Sequence, residues 1–192
     1  MRVLLTGGPP QLVTESPGIW NYQCARLPST LCVYTAQETN HQRFFEFDAL
    51  TGQTTELTLA AVKEGWVNWN ISPDGKSLAI VKLGPQQKSI IQIVSLGDGS
   101  ERVIPLPDWE EIGSIDWAPD GKSVWISAVR QRRPAFGTYS AQSILNVDLN
   151  GKVTESPDTD GVWFAAIPSP DGLHLALPGA TENSNVWPLE NF

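Results

Sequence analysis

Two cysteines are the first residues of this chain whose type and spacing suggest chemistry. Cys24 and Cys32 are its only cysteines, and they stand symmetrically about Pro28 in CARLPSTLC. Residues placed this way in an antiparallel hairpin face each other with Cα atoms about 4.5–5.5 Å apart, which a disulfide can bridge. A disulfide would imply an oxidising compartment, whereas the alternative is two small buried hydrophobic thiols. With only two histidines, far apart, a zinc site is not expected.

A cluster of cations and aromatic rings is the second candidate, and it suggests binding. The segment VRQRRPAFGTY contains Arg130, Arg132, Arg133, Phe136 and Tyr139. Arginine recognises carboxylates through paired donors, and arginine with aromatic anchors is enriched at interfaces. Trp109, in PDWEEIG, is expected to be an exposed anchor on the same face. These residues predict a surface for an acidic protein or a peptide carboxylate, and the alternative is a solvated loop with ordinary charges.

The remaining candidates for catalysis or metal binding are better explained as structural. His41 lies in the polar segment ETNHQR and His174 in an apolar run, and neither accompanies a nucleophile motif such as G-x-S-x-G. The segment DTDG, 158–161, resembles the start of a calcium loop but lacks the later ligands. We therefore expect no enzymatic activity, no metal and no cofactor.

Composition and charge exclude several classes of partner. The 192 residues are 41% apolar and 18% charged, which is typical of a folded domain. The net charge is −8 and no basic stripe occurs, so nucleic acid is not an expected partner. No run approaches the roughly 20 apolar residues of a membrane span, and the N-terminus MRVLLTGGPP does not resemble a signal peptide.

An internal repeat is the strongest feature of the sequence. Pro-Asp-Gly occurs three times before an apolar run, in ISPDGKSLAI, WAPDGKSVWI and PSPDGLHLAL. A second, independent series of glycines precedes strand-like segments at Gly18, Gly65, Gly113 and Gly161. Both series have a period near 47 residues, which is typical of a propeller blade. The repeated turns are Pro73-Asp74-Gly75, Pro119-Asp120-Gly121 and Pro170-Asp171-Gly172.

Each repeat is interpreted as four short antiparallel strands, A to D. Pro-Asp-Gly makes the A–B turn, because proline fixes φ and glycine accepts a positive φ. A Thr-Gly, Asp-Gly or Asn-Gly pair makes the C–D hairpin. In the first copy, CARLPSTLCVY, the turn is degenerate. Six tryptophans on strands A and B are expected in the core: Trp20, Trp66, Trp69, Trp117, Trp125 and Trp163.

The repeats ISPDGKSLAIV and WAPDGKSVWIS resemble those of TolB-like propellers, a WD40-like bacterial family. The resemblance implies an all-β β-propeller of about four blades of four antiparallel strands. Related blades also form the propeller domains of prolyl-oligopeptidase-type enzymes. The ending NSNVWPLENF resembles the propellers of bacterial membrane serine/threonine kinases and winged-helix regulators, in which the propeller is thought to be the sensory or interaction part.

The blade count predicts a single propeller segment that is a piece of a longer propeller, cut inside a blade. A closed four-bladed ring and a paired or swapped dimer are the alternatives. The expected units are a C–D hairpin at 1–17, blades at 18–64, 65–112 and 113–160, and strands A–C of a last blade at 161–192. Exposed blade edges would favour a homodimer.

These observations favour a non-catalytic binding, sensory or protein-interaction module, extracytoplasmic and periplasmic, as part of a larger protein. Its ligand would be a protein or peptide. One alternative is the propeller of a larger prolyl-oligopeptidase-like hydrolase whose catalytic domain lies outside these residues. Another is a lectin-like propeller, which predicts a tryptophan-floored pocket in each blade, yet the D–A loops do not repeat a tryptophan.

Overall fold

The structure is a computed structural model, and it describes residues 1–2, 6–38, 41–59, 67–83, 89–130, 143–156, 162–163 and 165–180. These residues form three four-stranded antiparallel sheets and two short strand pairs, with no helix among them. In the part of the chain described here, no helix is long and apolar enough to cross a membrane. This is the expected all-β propeller architecture.

Each of the three sheets is a blade whose strands pair in chain order. Blade one contains β1 (Ile19–Cys24), β2 (Leu31–Glu38), β3 (His41–Asp48) and β4 (Thr54–Leu57). Blade two contains β5 (Trp69–Ile71), β6 (Ser77–Leu83), β7 (Ser89–Ser95) and β8 (Glu101–Leu106). Blade three contains β9 (Glu111–Trp117), β10 (Ser123–Val129), β11 (Ser143–Asp148) and β12 (Val153–Glu155).

The fourth unit consists of two strand pairs. β13 (Val162–Trp163) pairs with β16 (Gly179–Ala180), and β14 (Ile167–Pro168) pairs with β15 (Leu175–Ala176). We call this unit blade four. Before β1, the described residues contain an isolated antiparallel bridge between Arg2 and Gln11.

The Pro-Asp-Gly segments form the first turn of blades two, three and four. In blade two, the Gly75 N–H donates to the Ser72 carbonyl at 2.9 Å, and Gly75 has φ +75°. The Asp74 carboxylate accepts hydrogen bonds from the Ser72 hydroxyl at 2.7 Å and the Lys76 N–H at 3.0 Å. The Ser72 hydroxyl, more than any other neighbour, lowers the pKa of Asp74.

Alternating apolar residues pack each blade against the next. Between blades one and two the core contains Val33, Phe44, Trp69, Ile71, Leu78, Ile80 and Val94. Between blades two and three it contains, among others, Val81, Ile91, Ile104, Trp117, Val124 and Ile126. A smaller cluster on the opposite face of blade one comprises Cys32, Tyr34, Ala36 and Phe47.

The tryptophans are distributed differently from the prediction at three positions. Trp125 was expected in the core but is only half-buried. Trp69 and Trp117 lie in the core as expected, each 3% exposed. Trp20 was expected in the core but is 66% exposed, and it lies where the β1–β2 register shifts between Ile19 and Asn21. Trp109 was expected to be an exposed anchor but is 4% exposed. The side chains of Trp66 and Trp163 lie outside the described set.

Candidate functional site

The candidate binding surface begins where β8 connects to β9. The Trp109 N–H donates to the Leu106 carbonyl at 3.1 Å, and the Trp109 carbonyl accepts from the Ser89 N–H at 3.0 Å. The Glu110 N–H donates to the Val129 carbonyl at 3.0 Å. These hydrogen bonds fasten the connection to blades two and three, and they turn the indole of Trp109 inward.

Arg130, directly after β10, covers this indole. Its guanidinium carbon lies 4.9 Å from the centroid of the Trp109 ring, within the range of a cation–π contact. Trp109 therefore acts as a buried platform for the cation. The sequence predicted an exposed tryptophan beside the arginine, whereas Trp109 is buried and lies beneath the guanidinium of Arg130.

Glu155 completes the cluster from β12. Arg130 Nη2 lies 2.5 Å from Glu155 Oε2, and the Ser143 hydroxyl donates to Glu155 Oε1 at 2.6 Å. The side chains of Arg130 and Glu155 are 63% and 42% exposed, so this ion pair contributes at most about 1 kcal/mol to stability. Its main effect is to orient the guanidinium. We call Trp109, Arg130 and Glu155 the Arg130 site.

A shallow hollow of about 230 Å³ lies at the Arg130 site. Its walls include Leu106, Pro107 and Val153, with Asp108 at the rim. One of the five guanidinium N–H groups of Arg130 is used by Glu155, so others remain for a ligand. The arrangement combines an apolar wall, an oriented cation and a carboxylate.

Four of the predicted binding residues lie outside the described residues: Arg132, Arg133, Phe136 and Tyr139. The calcium-like segment 158–161 also lies outside them. The sequence predicted His41 in a loop, but it is the first residue of β3. His174 is exposed just before β15. Among the described residues, no three His, Cys, Asp or Glu side chains lie close enough together to hold a metal ion.

The disulfide between Cys24 and Cys32 is present, as predicted. The two residues are direct partners in the β1–β2 pairing, and their Cα atoms are 4.0 Å apart. Cys32 is 1% exposed whereas Cys24 is exposed, so one end of the bridge is buried and the other faces solvent. The bridge joins the two strands that flank the degenerate turn, with Cys32 in the smaller cluster of blade one and Cys24 at the surface.

A polar cluster near the first turns is a feature that sequence reasoning missed. Asp116, on β9, accepts a hydrogen bond from the Asn70 side chain at 3.1 Å and from the Trp117 N–H at 2.8 Å. Burial raises the pKa of Asp116, while the Trp117 N–H and the charge of Arg26 act in the opposite direction. Arg26 occupies the position at which the other repeats have the proline of Pro-Asp-Gly. This difference was the sequence feature that could have pointed to the cluster.

The stacked four-stranded sheets define the class of the protein as a β-propeller, and solved structures agree. The chain matches TolB from Acinetobacter baumannii with a TM-score of 0.64 and 21% identity, covering 87% of this chain and 39% of that one. It matches a protein assigned as TolB from Agrobacterium tumefaciens with a TM-score of 0.69 and 21% identity, covering 92% and 61%. The chain therefore has the fold of TolB-like propellers.

Other structures with this fold include enzymes. A prolyl endopeptidase matches with a TM-score of 0.58 and 16% identity, over 83% of this chain and 26% of that one. No family model and no curated protein matches the chain. The chain spans between about two fifths and three fifths of the length of the two TolB structures.

Proposed function

We propose that this chain is a non-catalytic propeller module that binds a protein or peptide through the Arg130 site. The observation that carries the proposal is the cation of Arg130, held at 4.9 Å on the Trp109 ring and oriented by Glu155 beside an apolar hollow. Such a preoriented cation beside apolar surface is suited to a carboxylate of the ligand. The net charge of −8 supports a partner other than nucleic acid.

The experiment uses peptides that end in a free carboxylate and the same peptides with an amidated end. Binding to the full chain is measured by isothermal titration calorimetry. We expect Arg130→Ala to weaken binding of the free-acid peptides about tenfold and to leave amidated peptides unaffected. The melting temperature should be nearly unchanged, because the Arg130–Glu155 pair is exposed to solvent.

Blade one offers a matched control. Arg43 lies 5.1 Å from the centroid of the Phe45 ring and pairs with Glu56, so it repeats the chemistry of Arg130 on another blade. Arg43→Ala should leave peptide binding intact. Equal loss of binding in both variants, or equal binding of acid and amide peptides, would refute the Arg130 site.

A second candidate function is the propeller of a larger hydrolase. The structural match to a prolyl endopeptidase favours it. In that case the propeller contributes substrate access, with the catalytic groups supplied by other residues. Fusion of this chain to an α/β-hydrolase segment in the parent gene would support this alternative over the recognition module.

We further propose that two copies associate through blade one. Ile19 and Tyr22 on β1 are 41% and 65% exposed, beside an apolar hollow of about 520 Å³ that Tyr34 and Phe47 also line. Light scattering over a range of concentrations should give a mass above 21.0 kDa that falls on dilution. A constant monomer mass would exclude this association.

An oxidising, extracytoplasmic compartment is proposed on the basis of the disulfide.

A further inference from the structure

A second cleft, separate from the Arg130 site, lies between blades three and four. Its volume is about 720 Å³, within the usual range for small-molecule sites. Blade three contributes Trp125, Asn146 and Thr154, and blade four contributes Asp171 and His174. The cleft lies near the start of β10, whereas the Arg130 site lies beyond the end of that strand.

The floor of the cleft differs from the same position in blade two. In blade three, Trp125 pairs directly with Asn146, which pairs with Thr154. In blade two the corresponding pair is Ala79 and Ile93, which pack into the apolar core between blades. Blade three thus replaces two aliphatic side chains by an indole and an amide, and both are only half-buried.

Several hydrogen-bonding groups around Trp125 remain available to a ligand. The Asn146 amide nitrogen donates to the Ser123 hydroxyl at 3.0 Å, so the amide oxygen of Asn146 is left as a free acceptor within the described residues. The indole N–H of Trp125 has no hydrogen-bond partner within the same residues. Thr154, which pairs with Asn146 on the neighbouring strand, has an exposed side chain.

The charges at the cleft argue against an anionic ligand. Within the described residues, neither lysine nor arginine lines it. Two carboxylates line it, and each already accepts hydrogen bonds within its own turn: Asp120 from the Lys122 N–H, and Asp171 from the Ser169 hydroxyl and the Leu173 N–H. These negative charges disfavour an anion, whereas the indole and the uncharged Asn146 and Thr154 suit a neutral ligand that has an apolar face and several hydroxyl groups at its edge.

We infer that this cleft binds a neutral carbohydrate, with one face of a sugar ring stacked on Trp125. Hydroxyl groups at the ring edge donate to the Asn146 amide oxygen and exchange hydrogen bonds with Thr154. Blade two cannot form the same site, because Ala79 and Ile93 occupy the equivalent positions there. The carbohydrate site does not depend on peptide binding at the Arg130 site.

The test is an NMR titration of the ¹⁵N-labelled full chain with cellobiose, maltose and lactose. The indole N–H signal of Trp125, assigned from its loss in Trp125→Phe, should shift in a saturable way with at least one of these sugars. Asn146→Ala and Thr154→Val should each weaken binding about tenfold, as expected when one polar contact is removed. Trp125→Ala should abolish binding, and Trp20→Ala, an exposed tryptophan in blade one, should retain it.

Three outcomes would overturn the inference. The first is the absence of any saturable shift at Trp125. The second is unchanged binding in both Asn146→Ala and Thr154→Val, which keeps the test decisive even if Trp125→Ala does not fold. The third is stronger binding of glucuronate than of glucose, because the cleft would then select an anion.

Discussion

The guanidinium of Arg26 in blade one donates a hydrogen bond to the backbone carbonyl of Pro170 in blade four, at 3.2 Å and across 144 positions of sequence. The backbone N–H of Arg26 also donates to the Pro73 carbonyl in blade two, at 2.9 Å. Its charge favours the ionised form of Asp116 in blade three. One residue of the degenerate turn therefore interacts with all three other blades.

Arg26→Ala is expected to lower the free energy of unfolding by about 1 kcal/mol, because it removes a charged donor from a backbone carbonyl at the surface. The measurement is urea unfolding followed by circular dichroism. Arg102→Ala is the matched control, since Arg102 donates to the Asn150 side chain at a longer distance of 3.4 Å. Equal effects of the two substitutions would show that the contact with Pro170 has no special role.

Asp116 should make stability depend on pH in an unusual direction. Burial raises the pKa of Asp116 above its ordinary value of 3.8, so just above that pH the folded protein holds a proton that the unfolded chain has already lost. The contribution of Asp116 to the free energy of unfolding therefore falls as the pH rises from the pKa of the unfolded chain through the higher pKa of the folded protein. Asp116→Asn should remove this loss of stability. A pH profile identical to that of the wild type would contradict it.

Asp48 should produce the opposite slope. The Thr30 hydroxyl is the largest cause that lowers its pKa to about 2, followed by the backbone N–H groups of Thr51 and Leu50. Because the folded pKa is depressed, the stabilisation is present above the ordinary value and is lost as pH falls from about 4 toward about 2. In Asp48→Asn the melting temperature should change less between pH 4 and pH 2. No flattening would show that these hydrogen bonds do not favour the carboxylate.

Much of the architecture could be predicted from the sequence, because turn residues and alternating apolar residues mark strands locally. The disulfide followed from the symmetry of Cys24 and Cys32 about a turn. The exposure of Trp20 and the burial of Trp109 could not be predicted, since they depend on the irregular β1–β2 register and on hydrogen bonds between blades. The contacts of Arg26 were missed for the same reason, because they join turns that are distant in sequence.

Two equivalent glycines allow the effect of backbone conformation on stability to be measured separately from the effect of packing between turns. Gly75 and Gly121 have nearly the same φ, +75° and +68°. A Cβ atom at Gly75 would lie 2.8 Å from the Ser29 hydroxyl oxygen and 3.1 Å from the Ala25 Cβ, whereas at Gly121 nothing lies within 4 Å. Gly121→Ala should lower the free energy of unfolding by roughly 1–2 kcal/mol from φ alone.

Gly75→Ala should destabilise the protein more than Gly121→Ala, because the added methyl group also collides with the turn of blade one. Urea unfolding of both variants gives the difference directly. Gly75→Ala in a Ser29→Ala background should recover part of the excess, since the nearest atom is then absent. Equal destabilisation of the two single variants would show that the turns of blades one and two do not pack in this way.

The disulfide is expected to stabilise blade one by constraining the unfolded chain. The bridge joins residues eight apart, and closing so short a loop contributes about 2–3 kcal/mol. Reduction should therefore lower the free energy of unfolding by this amount. The double variant Cys24→Ser/Cys32→Ser, which should be unaffected by reductant, is the control. Thiol titration of the denatured, unreduced protein should find no free thiol, and two free thiols would contradict the bridge.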